Sequence, residues 1–413
     1  MDEKVSGHIE QTRRRMLQSF SGFERDSSIL LQTRGSGPRI TYPPKYSDAV
    51  MGPSNVLEFE AIAKTKLSKW GYDYIATGVE EEVTLRSNRA AFNRVWLRRR
   101  AMVDVTNIDT SLEILGTKLD FPILLDPTGG KDIDDSNADE LAAEGAFPSK
   151  AIYCVAAGPW MQKMHAQNRA PVWWSNSVGL GTKQIATNFA KRSEDMGCSA
   201  IILTMDYEYT PNRDRYIRNH YDWGYHQAGP PQNGVKLEAR NPAVDGMLVP
   251  STPSMTWETV TWLREAAKVP VCIKGILRPD DADKAIKAGA QAIVVSNHGG
   301  RALDGGIATL DALPAVVKAV NGRVPVLMDS GVRRGDDILK ALALGAKAVL
   351  IGRPYVWGLT AFGKEGLQRV IDILRGELVV TMGLAGVSNL ASIDSSLVRR
   401  AWEPPAEAAH HSE

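Results

Sequence analysis

Eight short apolar runs alternate with helical patterns between about Phe121 and Gly352. The runs occupy residues 123–125, 151–155, 171–174, 200–204, 270–274, 292–296, 325–329 and 348–352. Their hydrophobicity is continuous rather than alternating, which is typical of strands buried on both faces of a parallel sheet. Helical patterns, such as those over 183–196, 279–288 and 336–344, lie between the runs. Eight such units predict an α/β protein with a (β/α)8 TIM-barrel fold.

A doubly wound open sheet is the rival architecture. It usually carries a glycine-rich turn after its first strand, with an acidic residue about 20 residues further on. Here the first run ends in DPTGG (126–130), and Gly179 to Gly181 form only a short GxG. Polar side chains instead follow the ends of several runs, where a barrel builds its active site. They are Thr128, Asn176, Thr204, Asp206, Lys274, Ser296, His298, Asp329 and Arg353.

The flanking segments divide the chain further. Residues 1–54 are predicted to form a poorly ordered or extended leader, 55–402 the barrel domain and 403–413 a tail. Apolar residues at helical spacing predict a helix over 58–75 before the barrel. Residues 215–255, rich in Pro, Gly, Tyr and Trp, interrupt the pattern after the fourth strand. A segment of this length predicts a lid or binding segment over the site.

Composition limits the partners and the compartment. The 413 residues contain 49 Lys and Arg against 48 Asp and Glu, a net charge of +1. Such a chain has no general attraction to nucleic acid or anionic lipid. Its three cysteines form no CxxC pair, which favours a reducing, cytoplasmic location. Residues 12–18 (TRRRMLQ) resemble a twin-arginine export signal, but a polar stretch follows them, so periplasmic export through a degenerate signal is the alternative.

The densest chemical signal is SNHGGR at 296–301. Imidazole transfers protons near neutral pH, and guanidinium binds a carboxylate through two parallel hydrogen bonds. His298 and Arg301 together indicate a site that anchors an acid and removes a proton beside it. Lys274 at the end of the fifth run is predicted to point its charge into the barrel mouth, to stabilise negative charge on a cofactor ring. The alternative for Lys274 is a surface lysine.

The seventh and eighth units end in DSGVRRG (329–335) and GRP (352–354). Loops after strands seven and eight commonly form a phosphate site in this fold, and glycine amides with arginines suit that role. A solvated basic turn is the alternative. The sequence has no HExxH motif, no zinc-type Cys/His spacing and no P-loop, so no metal is predicted. His220 and His226 are interpreted as polar loop residues rather than metal ligands.

These motifs resemble those of the FMN-dependent α-hydroxy-acid oxidases and dehydrogenases, the family of glycolate oxidase, lactate oxidase and mandelate dehydrogenase. The similarity runs from about Val56 to Val398. It rests on SNHGGR with LD at 303–304, on DSGVRRG, on ALALGAKAVLIGRP at 341–354, and on YDY at 72–74 with TG at 77–78.

The resemblance implies a barrel with FMN across its C-terminal mouth. The implied reaction oxidises an L-2-hydroxy acid to the 2-keto acid, and oxygen, a quinone or a separate carrier then reoxidises the flavin. His298 would be the catalytic base, Asp206 its acidic partner and Lys274 the cation near the flavin. The implied substrate contacts are Arg301, Arg213 and Tyr72. The implied cofactor contacts are Pro127, Thr128, Gly129, Asn176, Thr204, Lys274, Ser296, Asp329, Gly331, Arg333, Gly352 and Arg353. A homotetramer is expected from the resemblance alone.

The chain departs from the family pattern on the side that faces the substrate. Asn176 takes the place of a glutamine on the third strand, and no tyrosine stands near Val178. Asp126 replaces an alanine, and residues 131–139 are unusually acidic. We therefore predict a substrate other than simple glycolate or lactate. Two alternatives stay open: oxidation of a different group, such as an amine acid or a modified peptide, and a flavin-binding protein that has lost its activity.

Overall fold

The computed structural model describes residues 46–209, 211–217 and 254–401. Eight parallel strands close into a barrel, in which each strand pairs with its two neighbours. The strands are β4 (Ile123–Leu125), β5 (Tyr153–Val155), β6 (Trp173–Ser177), β7 (Ala200–Thr204), β8 (Val271–Ile276), β9 (Ala292–Val295), β10 (Val326–Met328) and β11 (Ala348–Ile351). Each strand coincides with one predicted apolar run, and the predicted TIM barrel is confirmed.

Two faces of each strand are buried, as the continuous hydrophobicity requires. Alternate side chains fill the barrel interior, including Leu124, Cys154 and Trp174. Their neighbours in sequence, such as Ile123 and Trp173, pack against the surrounding helices. The three cysteines, Cys154, Cys198 and Cys272, are free and buried.

The helices complete the barrel layer and its N-terminal extension. They are α1 (Asp48–Met51), α2 (Glu58–Lys66), α3 (Lys69–Ala76), α4 (Val83–Asn93), α5 (Ala138–Ser149), α6 (Pro159–Ala166), α7 (Lys183–Asp195), α8 (Asp214–Ile217), α9 (Trp257–Ala266), α10 (Pro279–Lys287), α11 (Thr309–Val320), α12 (Gly335–Ala343) and α13 (Arg353–Ala385). The backbone of α13 bends at Phe362 and Gly363.

The single helix predicted over 58–75 is wrong, because the chain forms two helices there. The backbone of Leu67 is extended, and the Ser68 hydroxyl accepts a hydrogen bond from the Gly71 amide at 3.0 Å. A serine in this position caps a helix N-terminus, so Ser68 starts α3 as a separate helix. The break matters because α3 supplies one wall of the cavity described below.

Two small antiparallel sheets were not predicted. One is a hairpin of β2 (Leu112–Ile114) and β3 (Thr117–Leu119), whose Ile114 and Leu119 side chains pack onto the interior of the barrel. The other pairs β1 (Val95–Leu97) with β12 (Val398–Arg400).

Several predictions concern the ends of the chain and the long loop. Most of the predicted leader, the segment 218–253 of the predicted lid, and residues 402–413 lie outside the described residues. Residues 46–54 of the leader are described, and the Tyr46 hydroxyl donates a 2.6 Å hydrogen bond to Asp372. None of the described helices has the length and apolarity needed to cross a bilayer.

Candidate active site

A cavity of about 420 Å³ opens among residues that follow the carboxyl ends of the barrel strands. That volume is within the usual range for small-molecule sites. Nine of the predicted cofactor residues line it: Pro127, Thr128, Gly129, Asn176, Thr204, Gly331, Arg333, Gly352 and Arg353. His298, Arg301 and Arg213 line it as well. The structure thus brings together residues that are distant in sequence, as parallel strands of a barrel do.

His298 and Asp206 form a pair at this cavity. The Nδ1 atom of His298 lies 2.9 Å from Oδ1 of Asp206. Burial raises the pKa of Asp206, but His298 outweighs that effect and holds the pKa below its usual value. Burial lowers the pKa of His298, and Asp206 opposes this only in part. At neutral pH the pair is therefore a carboxylate that accepts from Nδ1–H of a neutral imidazole, which leaves Nε2 as the basic atom.

The loop that carries His298 has an unusual backbone. His298, Gly299 and Gly300 are consecutive residues with positive φ, at 57°, 68° and 72°. A Cβ atom on Gly300 would lie 2.6 Å from the amide nitrogen of Leu85 in α4. The glycines therefore allow both the left-handed turn and its close contact with α4. His298 itself adopts a conformation that costs free energy, which is common at active sites.

Two arginines flank Tyr74 at the wall formed by α3. The guanidinium carbons of Arg213 and Arg301 each lie 5.0 Å from the centre of the Tyr74 ring. Burial raises the pKa of Tyr74, but the two arginines outweigh it and hold the pKa below its usual value. Arg213 is 1% exposed and donates a 3.0 Å hydrogen bond to the hydroxyl of Tyr207. Two cations at one end of a small cavity favour an anionic ligand, and their planar forks suit a carboxylate.

Further arginines carry the positive charge to the loops after β10 and β11. Burial, followed by the neighbouring Arg89, lowers the pKa of Arg333 to about 10. Arg301, in the loop after β9, shows a similar effect: burial lowers its pKa to about 10, and the neighbouring Arg213 is the next cause. Arg353 donates to the backbone carbonyls of Ile75, Thr77 and Gly299, so its phosphate role stays a prediction. Such crowding of like charges is costly unless an anion binds between them.

Lys274 is buried next to the cavity and is not part of its lining. Its side chain is 1% exposed, and its ammonium lies 2.8 Å from Asp329 and 3.0 Å from the Ser296 hydroxyl. Lys274, Ser296 and Asp329 are buried and do not line the cavity. Buried charges need partners, and Asp329 meets that need. The carboxyl group of Asp126, which does line the cavity, lies 3.9 Å from the Lys274 ammonium.

The placement of Tyr72 also differs from the prediction. Its ring stacks on Trp357 with 5.7 Å between centroids, and its hydroxyl donates to Glu60 at 3.1 Å. Tyr72 does not line the cavity, whereas Tyr74 does. Residues two apart on a helix point about 200° from each other, so only one tyrosine of the YDY motif can face the site. The YDY motif thus brings Tyr74 to the cavity, and the sequence alone could not show which of its two tyrosines lies there.

Some cavity residues were not singled out as site residues from the sequence. Tyr207 lines the cavity, and its ring centre lies 5.2 Å from that of His298. Val155 ends β5, Ala156 follows it, and both contribute apolar side chains to the cavity lining together with Val178. Asp132 and Asp139, from the acidic loop, also line the cavity. The only signal for Ala156 and Tyr207 was their position shortly after a strand, which many inert residues share.

The family model for FMN-dependent dehydrogenases matches residues 63–400. The chain belongs to the FMN-dependent dehydrogenase family. The L-lactate oxidase of Nostoc sp. is 38% identical to it over 365 residues, covering 85% of this chain and 99% of that protein. The glycolate oxidase of Spinacia oleracea is 36% identical over 362 residues, covering 86% and 98% of the two chains.

Solved structures of the family agree with the fold. A mandelate oxidase superposes with a TM-score of 0.71 at 31% identity, over 83% of this chain and 97% of the other. An (S)-mandelate dehydrogenase gives a TM-score of 0.73 at 29% identity, over 84% and 99% of the two chains. This FMN-dependent dehydrogenase is therefore a flavin oxidoreductase, and the resemblance described from its motifs is confirmed.

Proposed function

We propose that this enzyme oxidises an L-2-hydroxy acid to the corresponding 2-keto acid. The observation that carries the proposal is the convergence of His298, paired with Asp206, and two arginines, Arg301 and Arg213, on one cavity. A base beside a carboxylate anchor is the arrangement that oxidation next to a carboxylate requires. The matched relatives are named for lactate, glycolate and mandelate, which are all 2-hydroxy acids.

The residues present fit FMN. Arg333 and the backbone of Gly331 and Gly352 offer donors to a phosphate, and Thr128 and Asn176 offer polar side chains to a ring and a chain of hydroxyls. The buried charge of Arg333 supports this, because a phosphate would compensate it. FMN supplies the two-electron acceptor when it is bound.

The chain's own residues bind the acid and take up a proton. Arg301 and Arg213 bind the carboxylate and thereby orient the carbon that carries the hydroxyl group. Nε2 of His298 accepts one of the two protons that the hydroxy acid loses, while Asp206 stabilises the resulting imidazolium through Nδ1. Because the pKa of His298 is lowered by burial, the imidazole is neutral and basic before substrate binds.

The cavity wall supports a substrate larger than lactate. Val155, Ala156 and Val178 present short apolar side chains to the cavity. An apolar substituent would bury its surface there, at about 25 cal/mol for each Å² removed from water. We therefore propose a 2-hydroxy acid with an apolar side chain longer than a methyl group.

Anaerobic reduction of the bound flavin tests this function. A panel of L-2-hydroxy acids with hydrogen, methyl, branched aliphatic and phenyl substituents is mixed with the holoenzyme, and loss of the yellow absorbance is followed. We expect the hydroxy acids with larger substituents to reduce the bound flavin of the wild-type enzyme. The His298→Ala variant should still bind FMN, but no hydroxy acid should reduce it. Rapid reduction by lactate would contradict the proposed substrate class. Reduction by no hydroxy acid, but by an amine acid or a modified peptide, would overturn the reaction.

A further inference from the structure

The buried charge cluster beneath the cavity contains two carboxyl groups and one ammonium. Asp329 and Asp126 lie 2.8 Å and 3.9 Å from the Lys274 ammonium. Asp126 follows the first barrel strand, whereas Lys274 lies on β8 and Asp329 follows β10. Two carboxylates that share one cation in an enclosed site do not both ionise readily, so one of them retains a proton.

The hydrogen bonds decide which of the two carries the proton. Asp329 accepts from Lys274 and also from two hydroxyls, those of Ser296 at 2.7 Å and Ser330 at 2.5 Å. Three donors therefore satisfy the oxygen atoms of Asp329. The Oδ1 atom of Asp126 is buried and has no hydrogen-bond partner among the described residues. An ionised carboxylate left in that position would be costly.

The electrostatic surroundings point the same way. Burial raises the pKa of Asp126 well above its usual value, and Lys274 opposes this. The charges of Asp329 and Asp206 reinforce the rise, as does a hydrogen bond between the carboxyl groups of Asp126 and Asp329. The other titratable groups that face Asp126 are Cys154 on β5 and Tyr355 on α13, and neither is a cation at neutral pH. Lys274 is thus the cation next to Asp126, and it is already bound to Asp329.

Asp126 is also the member of this cluster that lines the cavity. Its side chain is 13% exposed, against 1% for Lys274 and 2% for Asp329. The cluster adjoins the reacting end of the site, because the Ser296 hydroxyl accepts a 3.0 Å hydrogen bond from the His298 amide, and Asp206 is the partner of His298. The carboxyl group of Asp126 therefore borders both the charge cluster and the cavity that is proposed to hold the flavin.

We propose that Asp126 is a neutral carboxylic acid that donates a hydrogen bond to the FMN ring and, with Lys274 behind it, stabilises the negative charge that the ring gains on reduction. The proposal rests on the proposed function only in taking FMN as the occupant of the cavity. Asp126 acts as a hydrogen-bond donor and keeps its proton throughout, as buried neutral carboxyl groups do in other enzymes. It thereby makes the bound flavin a better electron acceptor.

Sulfite titration of the holoenzyme, with no hydroxy acid present, tests the proposal. Sulfite adds to oxidised flavin and leaves a negative charge on the ring, so its Kd reports the groups that stabilise that charge. We expect Asp126→Ala to raise the sulfite Kd about tenfold, and to lower the two-electron reduction potential by the corresponding ~30 mV. Asp126→Asn keeps a neutral donor and should stay within about threefold of wild type. The control is Asp283→Asn on α10, a carboxyl group that pairs with Lys287 and Arg323 and does not line the cavity, and it should change neither quantity.

Opposite results overturn the proposal. If both Asp126 variants bind sulfite more tightly than wild type, Asp126 is an anion that opposes charge on the ring. If neither variant differs from wild type, Asp126 does not act on the ring. Infrared spectroscopy adds a measurement that does not depend on the folding of Asp126→Ala. Wild type at neutral pH should show the band of a protonated carboxyl group, and Asp126→Asn should lack that band. Absence of the band from wild type would overturn the proposal. Because no experiment here uses a hydroxy acid, failure of this proposal leaves the proposed reaction untouched, and the reverse also holds.

Discussion

The side-chain amides of Asn88 and Asn297 hydrogen-bond each other in both directions, at 2.9 Å and 2.8 Å. Asn88 lies on α4, and Asn297 directly precedes His298 in the chain. Both amides are buried, so each supplies the partner that the other needs. Helix α4, which precedes the barrel in sequence, therefore holds the loop that carries His298.

Gly300→Ala should destabilise the protein more than Gly305→Ala. Both glycines have positive φ, at 72° and 68°, so both substitutions strain the backbone by about 1–2 kcal/mol. A Cβ on Gly300 meets Leu85 at 2.6 Å, whereas one on Gly305 meets no atom within 4 Å. We expect the steric overlap to lower the free energy of unfolding of Gly300→Ala by a further ~1–3 kcal/mol. Denaturant unfolding of the two variants measures the difference, and equal losses would show that α4 does not constrain the loop.

Asp206→Asn should shift the pH dependence of catalysis. In wild type, kcat/KM falls as the pH drops through the pKa of His298, because the protonated imidazole is no base. Asp206 raises that pKa against the effect of burial, so its removal moves the acid limb to lower pH. The maximal rate should also fall, on the order of 10²–10⁴-fold, since the imidazolium loses its carboxylate.

The pH profile of kcat/KM for the two proteins checks this. The control is Glu208→Gln, which removes a nearby exposed carboxylate and should leave the acid limb in place. Movement of the Asp206→Asn limb to higher pH would contradict the assignment of the pair.

Arg333→Gln should weaken FMN binding, and Arg334→Gln should not. Arg333 lines the cavity, whereas the neighbouring Arg334 is paired with Glu377 at 2.9 Å and does not line it. A charge-assisted hydrogen bond to a phosphate contributes about 1.5–3 kcal/mol, so we expect a rise in the FMN Kd of about ten- to a hundredfold for Arg333→Gln. Quenching of FMN fluorescence on addition of apoprotein measures both Kd values. Equal Kd values for the two variants would place the phosphate elsewhere.

Tyr74→Phe and Tyr72→Phe distinguish the two tyrosines of the YDY motif. Tyr74 lines the cavity between Arg213 and Arg301, and its hydroxyl interacts with Arg213. Its loss should raise KM for the hydroxy acid about tenfold, because the arginine that binds the carboxylate is less well held. Tyr72→Phe removes only the hydrogen bond to Glu60 and should leave KM within about twofold. Steady-state kinetics decide between them, and a larger effect at Tyr72 would reverse our assignment.

The linear pattern of residues was enough to predict the barrel and the position of its site. Each of the eight apolar runs became a strand, because a strand buried on both faces needs continuous hydrophobicity and few other elements do. Local chemistry within a loop was equally readable. Gly299 and Gly300, which follow His298 in the sequence, have the positive φ angles that glycine accommodates.

Contacts between distant segments were decided by tertiary structure alone. His298 and Asp206 are 92 positions apart, and no local pattern measures the distance between their side chains. The selection of Tyr74 over Tyr72 depended on how α3 packs against the barrel. The burial of Lys274 depended on Asp329, which provides in the folded protein the partner that a lone lysine lacks in the sequence. The hydrophobic pattern of a sequence indicates which residues are buried away from water. Which charged residues pair depends on contacts between separate strands, and these form only in the folded barrel.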